Sequence, residues 1–154
     1  MRAPKDAFSG EGVDNAYYWA IFNQVQINVG LTKGSGIGFS KNLPRALVYG
    51  GFTSSTLGHE LTHGFDDSGS EYDENGLHRN WWDPKSKEEY NKKTECMVEQ
   101  YSKYTFNVGG ENYNINGANT IGENIADNGG IKIGYRQKMM FDCFHIIFMF
   151  LGLL

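Results

Sequence analysis

The sequence predicts an α+β fold that is mainly helical and has a small N-terminal β-hairpin. Residues 13–31 are rich in aromatic and β-branched side chains, which favour strands. Within this segment the alternation of Val25, Ile27 and Val29 predicts one strand, and we expect an earlier strand to pair with it. Further along the chain, three helices are predicted: over residues 53–64, from Asp83 onward, and over residues 120–137.

Local signals place these elements in order. Residues 32–46 form a glycine-rich loop, and an acidic, turn-rich connection follows the first helix. The second helix has the clearest start, because Asp83 can cap it and Pro84 suits its first position, while residues 86–89 have the form of a capping box. The third helix is predicted to continue to Gln137 despite a pair of glycines at 129 and 130.

Composition excludes several classes of protein. A length of 154 residues suits one domain, and 14 basic against 18 acidic residues argue against a nucleic-acid partner. Two cysteines, Cys96 and Cys143, do not form a disulfide framework or a cysteine-based zinc site. The first residues lack the apolar segment of a secretory signal. We therefore expect no signal or anchor in this chain.

The C-terminal segment is unusually apolar. Residues 139–154 read MMFDCFHIIFMFLGLL, which is shorter than the roughly 20 apolar residues of a spanning helix. The segment is predicted to be either a buried terminal helix or a tail foreign to the domain. We divide the chain into a domain over residues 1–138 and an apolar tail over residues 139–154.

The strongest chemical signal is the run HELTH at residues 59–63. In a helix, His59 and His63 lie on one face about one turn apart, so both imidazoles can bind one Zn²⁺. Glu60 lies about 100° further around the helix, where it can take a proton from water at the open position of the metal. This spacing predicts a catalytic zinc site.

A catalytic zinc needs a third protein ligand. Glu123 and Asp127 lie four residues apart on the third predicted helix, so one carboxylate could bind the metal while the other holds a ligand imidazole. Alternatively, Glu123 belongs to a capping box that begins at Thr120. Asp66 is well placed to support His63, and the spacing alone leaves the choice of ligand open. The candidates from the residues alone are His78, Asp66, Asp67, Glu123 and Asp127.

Several blocks in a fixed order give the chain a resemblance. HELTHGFDD, YDENGL, a Trp-Trp pair, ECMVEQY and GENIADNGG follow one another between residues 59 and 130, within a resemblance that covers roughly residues 13–137. In this order they resemble the catalytic domain of the neprilysin and endothelin-converting-enzyme family of zinc endopeptidases. The resemblance implies a fragment of a thermolysin-like zincin catalytic domain. It also implies a plasma-membrane (extracellular face) or secreted location for the parent protein, with membrane association only through family parts absent here.

The resemblance assigns roles to eight residues. It implies one zinc ion per chain, a general base, carboxylates that support the ligand imidazoles, and a strand that binds the substrate backbone. Those roles fall on His59, His63 and Glu123 as zinc ligands, Glu60 as base, Asp66 and Asp127 as supporting carboxylates, and Asn15 and Ala16 as substrate-binding residues.

The chain also departs from the family. Ser55 and Thr56 replace an apolar pair, with one extra residue in that segment. The family continues for roughly a hundred residues beyond GENIADNGG, with a catalytic histidine, a substrate-binding arginine and the cysteine expected to pair with Cys96. Two functions follow as hypotheses. One is a zinc metalloendopeptidase, here truncated, that acts on oligopeptides, and the other is an inactive remnant that binds peptide or zinc.

Overall fold

The computed structural model describes residues 15–28, 30–31 and 50–150, and it describes the side chains of all of these except Thr53 and residues 137–150. The predicted hairpin is present as strands β1 (Ala16–Trp19) and β2 (Gln24–Ile27), which pair antiparallel with Ala16 opposite Ile27. Val29, the loop predicted over 32–46 and the side chains of the tail lie outside the described residues.

The first predicted helix forms, but its hydrogen bonding is mixed. We call the helical run over residues 50–65 the HELTH helix. It contains a π-helical stretch at Thr53–Gly58, an α-helical turn α1 at His59–Thr62 and a 3₁₀ turn at His63–Phe65. A π-helical turn holds more residues than an α-helical turn, because its hydrogen bonds span five residues rather than four.

The second helix, α2, spans Pro84–Tyr101. Asp83 caps it as predicted, and its carboxylate accepts a hydrogen bond of 3.0 Å from the Ser86 amide. The capping box predicted over residues 86–89 was wrong, because the helix begins at Pro84 and Ser86 lies inside the first turn. A second hairpin follows, β3 (Thr105–Val108) and β4 (Glu111–Asn114), which the sequence analysis did not predict.

The last helix, α3, spans Ile121–Phe150 and extends beyond the predicted end at Gln137. It packs closely against the HELTH helix. At Gly129 a Cβ atom would lie 2.8 Å from Cβ of Thr62, and at Gly130 it would overlap the Ser54 carbonyl oxygen. Gly129 and Gly130 lower the helix propensity of α3, but they permit the close approach that brings the first turns of α3 to the histidines.

The interior of the described part is small and polar. Few large apolar side chains are buried there, and several polar groups are buried close to the HELTH helix. Within the described residues, no helix has the length and apolarity needed to cross a membrane. Apart from glycines, the buried residues of the described part are Ala16, Asn28, Thr56, Glu60, Asp66, Ser70, Asp73, Ile121, Asn124 and Ala126.

Candidate active site

Three side chains from two helices converge on one point. His59 and His63 lie on the same face of the HELTH helix, and their rings meet edge to face with centroids 4.6 Å apart. Their Nε2 atoms are 3.0 Å apart. From the first turn of α3, Glu123 brings Oε2 to 3.3 Å from Nε2 of His59 and 3.7 Å from Nε2 of His63.

The spacing of these donor atoms fits a zinc ion. Two ligand atoms at 2.0–2.1 Å from a tetrahedral zinc lie about 3.3 to 3.4 Å apart. The three measured separations, 3.0, 3.3 and 3.7 Å, bracket that value. Two imidazole nitrogens and one carboxylate oxygen are also a donor set typical of catalytic zinc, with one coordination position left open.

Each imidazole is held from its other nitrogen by a carboxylate. Nδ1 of His59 lies 2.9 Å from Oδ1 of Asp127, and Nδ1 of His63 lies 2.7 Å from Oδ2 of Asp66. A carboxylate accepts hydrogen bonds, so Nδ1 of each ring is the nitrogen that carries the proton. The lone pairs on Nε2 are then directed at the point where Glu123 arrives.

Asp66 is itself fixed by the turn that follows the HELTH helix. Its Oδ1 accepts hydrogen bonds from the amides of Ser68 at 2.9 Å and Gly69 at 2.6 Å. Burial alone raises the pKa of Asp66, but the hydrogen bonds from His63 and the two amides outweigh it and hold the pKa below its usual range. Asp66 is therefore a carboxylate of fixed orientation beside His63.

Glu60 is buried next to the two histidines. Burial raises the pKa of its carboxyl group, while the neighbouring imidazoles and a backbone hydrogen bond from Tyr18 act in the opposite direction. A raised pKa suits a group that takes and returns a proton near neutral pH. The bond from Tyr18 links β1 to Glu60, and no pattern in the sequence had indicated it.

The strand β1 forms one wall of the cavity that contains these groups. The Asn28 amide donates to the Asn15 carbonyl, so the main-chain groups of Asn15 face β2. Because successive residues of a strand alternate in direction, the main-chain groups of Ala16 and Tyr18 face the opposite edge of β1, away from β2. The cavity has a volume of about 470 Å³. It is lined by Asn15, Ala16, Tyr17, Tyr18, Ala20, His59, Glu60, His63, Asp66, Ser68, Gly69 and Glu123.

Two other ligand candidates, His78 and Asp67, are not among the three converging donors. His78 is exposed and its Nε2 is 2.9 Å from Oε2 of Glu71, away from the histidine pair. Asp67 is not part of the group of three donors. Thr120 does not complete a capping box with Glu123 in the described contacts, since its hydroxyl donates to the Asn116 carbonyl and accepts from Asn124.

Comparison with known proteins identifies the family. The model of peptidase family M13 matches residues 15–141. The chain belongs to peptidase family M13. This family assignment confirms the resemblance seen in the sequence.

Relatives and solved structures agree with this family. The chain is 48% identical to human endothelin-converting enzyme 1 over 122 residues, which is 79% of the chain and 15% of that protein. It is 42% identical over 130 residues to human membrane metallo-endopeptidase-like 1, covering 84% of the chain and 16% of the relative. The chain thus spans about a sixth of these relatives.

The fold resembles those of bacterial M13 structures. The zinc metalloprotease ZMP1 of Mycobacterium tuberculosis, solved with an inhibitor, matches with a TM-score of 0.72 and 32% identity, over 83% of the chain and 19% of that structure. PepO of Lactobacillus rhamnosis matches with a TM-score of 0.70 and 31% identity, over 80% and 19%. The described part is accordingly a mainly helical α+β portion of an M13 peptidase with small sheets.

Proposed function

We propose that this chain carries the catalytic centre of a zinc-dependent metalloendopeptidase that hydrolyses peptide bonds in oligopeptides. The observation that carries the proposal is the convergence of Nε2 of His59, Nε2 of His63 and Oε2 of Glu123 at separations of 3.0–3.7 Å. These three residues hold one zinc ion, and Asp66 and Asp127 orient the two imidazoles from behind.

Glu60 serves as the general base. Zinc, when bound, supplies Lewis-acid chemistry that polarises a peptide carbonyl and makes water more acidic. Glu60 lies in the same cavity, takes the proton from the attacking water and passes it to the leaving amine. Its burial beside two imidazoles supports this role, because a desolvated carboxylate holds a proton more readily than an exposed one.

Asn15 and Ala16 hold the backbone of the peptide. An extended substrate can add to the free edge of β1, where the main-chain groups of Ala16 point into the cavity. The Asn15 carboxamide already reaches this edge, since its Oδ1 accepts a 2.9 Å hydrogen bond from the Ala16 amide. Main-chain binding of this kind accepts many side chains, which suits a peptidase of oligopeptides.

The finer assignments belong to the same proposal. The catalytic arrangement is thermolysin-like, residues 1–138 form part of the catalytic domain, and the apolar residues 139–154 lie outside it. The protein that contains this segment acts at the extracellular face of the plasma membrane or after secretion. One relative carries the word membrane in its name, membrane metallo-endopeptidase-like 1, which supports the first location.

Metal analysis tests the zinc site directly. After supplementation with zinc and removal of the free ion, the folded chain is expected to hold one zinc, and His59→Ala or Glu123→Ala is expected to lose it. His78→Ala is the matched control, because this histidine is exposed and paired with Glu71. A wild-type chain that folds and retains no zinc would contradict the proposal.

Turnover is tested in a chimera that carries residues 15–141 in place of the matching segment of human endothelin-converting enzyme 1. There Glu60→Gln is expected to keep the zinc and lower peptide hydrolysis by about 10²–10⁴-fold, the usual contribution of a general base. Glu95→Gln, at an exposed position of α2, is the control. A Glu60→Gln chimera with a tenth of normal turnover at equal zinc content would remove Glu60 as the base. A wild-type chimera that binds zinc without turnover would favour an inactive remnant.

A further inference from the structure

Two neighbouring tryptophans donate hydrogen bonds to a single carbonyl oxygen. Nε1 of Trp81 lies 3.0 Å and Nε1 of Trp82 2.8 Å from the carbonyl oxygen of Ser70. The two indoles are stacked, with ring centroids 4.6 Å apart. A carbonyl oxygen has two lone pairs, so both are used by side chains that lie eleven and twelve residues further along the chain.

Ser70 closes the turn that holds Asp66. The Ser70 amide donates to the Asp66 carbonyl at 3.0 Å, and Ser70 is fully buried. Between these residues lie the amides of Ser68 and Gly69 that bind Oδ1 of Asp66. The turn also packs against the end of the HELTH helix, since a Cβ at Gly69 would lie 3.2 Å from Cα of Gly64 and would overlap the His63 carbonyl.

The indoles are in turn fixed by the beginning of α2. Trp82 packs on Tyr90, with ring centroids 5.1 Å apart. The ammonium of Lys87 lies 5.4 Å from the Trp82 ring centroid and 4.9 Å from that of Tyr90, within the range of cation–π attraction. The orientation of the indole N–H groups is therefore set by packing on a capped helix.

We propose that Trp81 and Trp82 are positioning residues for the metal centre. Their N–H groups fix the Ser70 carbonyl and with it the 66–70 turn, and the turn orients Asp66 on His63. This role rests on the proposed zinc site. It adds to that site the two indoles, which support the imidazoles through the 66–70 turn without touching them. Ring packing connects α2 to Trp82, and hydrogen bonds then lead through Ser70 and Asp66 to Nδ1 of His63.

Removing the indole N–H groups tests this role. The double variant Trp81→Phe/Trp82→Phe keeps two stacking rings and loses both hydrogen-bond donors. Its affinity for zinc is expected to fall about 10-fold, which is the lower end of the loss that follows when residues supporting the metal ligands are replaced. The visible absorption bands of the cobalt-substituted chain, which report coordination geometry, are expected to shift. Trp19→Phe is the matched control, because Trp19 is as exposed as Trp81, at 37%, and its Nε1 donates to Gln26 instead.

A double-mutant cycle with Asp66→Asn separates positioning from a general loss of stability. If the indoles act through Asp66, their replacement lowers zinc affinity in the wild-type background and adds little when Asp66 is already Asn. If the double variant does not fold, the single variants Trp81→Phe and Trp82→Phe provide the same comparison. Each of them removes one indole N–H donor.

The outcomes are distinct. An unchanged zinc affinity and cobalt spectrum in the tryptophan variants, or an equal loss of affinity in both backgrounds, overturns the positioning role while the zinc site stands. A wild-type chain that binds neither zinc nor cobalt overturns the proposed function and this inference with it.

Discussion

At the scale of single residues, the two carboxylates behind the histidines differ in their surroundings. Asp66 is buried and accepts two amide hydrogen bonds in addition to the one from His63. The side chain of Asp127 is 65% exposed, and its Oδ1 lies 2.9 Å from Nδ1 of His59. A substitution at Asp127 therefore changes the support of one imidazole with little change in the packing around it.

This difference makes Asp127 the better site for a test. Asp127→Asn is expected to weaken zinc binding by about 10–100-fold, because an amide fixes the tautomer of His59 less firmly than a carboxylate does. The free energy of unfolding of the metal-free chain is expected to stay within about 0.5 kcal/mol, as for exposed substitutions in general. Competition with a chromophoric chelator measures the affinity, and chemical denaturation measures the stability.

Asp67→Asn is the control, because it removes the same charge near the site from a residue outside the donor group. Equal weakening by both variants would mean that net charge, rather than the bond to His59, determines the effect. Unchanged affinity in Asp127→Asn would remove this residue from the metal centre.

At the scale of elements, the site depends on how closely α3 approaches the HELTH helix. Glu123 lies in the first turn of α3, and Asp127 lies one turn later, so a small shift of this helix moves both carboxylates relative to the histidines. Gly129 and Gly130 permit the contact. At Gly130 the neighbours of an added Cβ are main-chain atoms, the Ser54 carbonyl oxygen and the His59 amide nitrogen at 3.0 Å.

Gly130→Ala is therefore expected to destabilise the chain, although alanine in a helix is ordinarily about 1 kcal/mol better than glycine. Overpacking against backbone costs about 1–3 kcal/mol, and the separation of the two helices is expected to weaken zinc binding as well. Gly50→Ala is the matched control, since a Cβ at Gly50 has no atom of the described residues within 4 Å. Thermal unfolding and zinc titration measure both effects, and a Gly130→Ala chain as stable as wild type would disprove the close contact.

At the scale of the whole molecule, many large apolar side chains of the described part stay exposed. Leu61 and Phe65, on the HELTH helix itself, are exposed, as are Phe106 and Tyr113 of the second hairpin. Large exposed apolar patches promote association.

Deletion of residues 139–154 is expected to raise the soluble yield without lowering the zinc content. The six proposed residues of the metal centre lie between positions 59 and 127, upstream of the deletion, and an apolar segment is removed. Replacement of the same segment by a polar helical sequence of equal length is the control for helix length. Size-exclusion chromatography and metal analysis provide the measurements. A truncated chain that unfolds or loses zinc, while the 154-residue chain stays monomeric, would show that the segment belongs to the fold.

Much of the proposed metal centre could be predicted from the sequence, because it depends on the local spacing of residues. The positions His59 and His63 share a helix face by the period of the helix alone, and the hairpin strands follow from alternation. Helix starts were equally local, and Asp83 caps α2 as its sequence position predicts. Local rules were insufficient where two signals compete, as in the capping box at residues 86–89. They also did not predict the hairpin β3–β4, whose turn contains Gly109 and Gly110.

The sequence by itself determined the residue types of a zinc site and the helix that presents two of them. Spacing left five candidates for the third ligand, and among these the family resemblance favoured Glu123. Only the tertiary structure brings Glu123 to the histidines and leaves His78 against Glu71. The physical reason is that Glu123 is sixty residues from His63 along the chain, so its approach depends on helix packing across Gly129 and Gly130. The hydrogen bonds from Tyr18 to Glu60 and from two indoles to Ser70 are likewise contacts between distant segments, which no local pattern encodes.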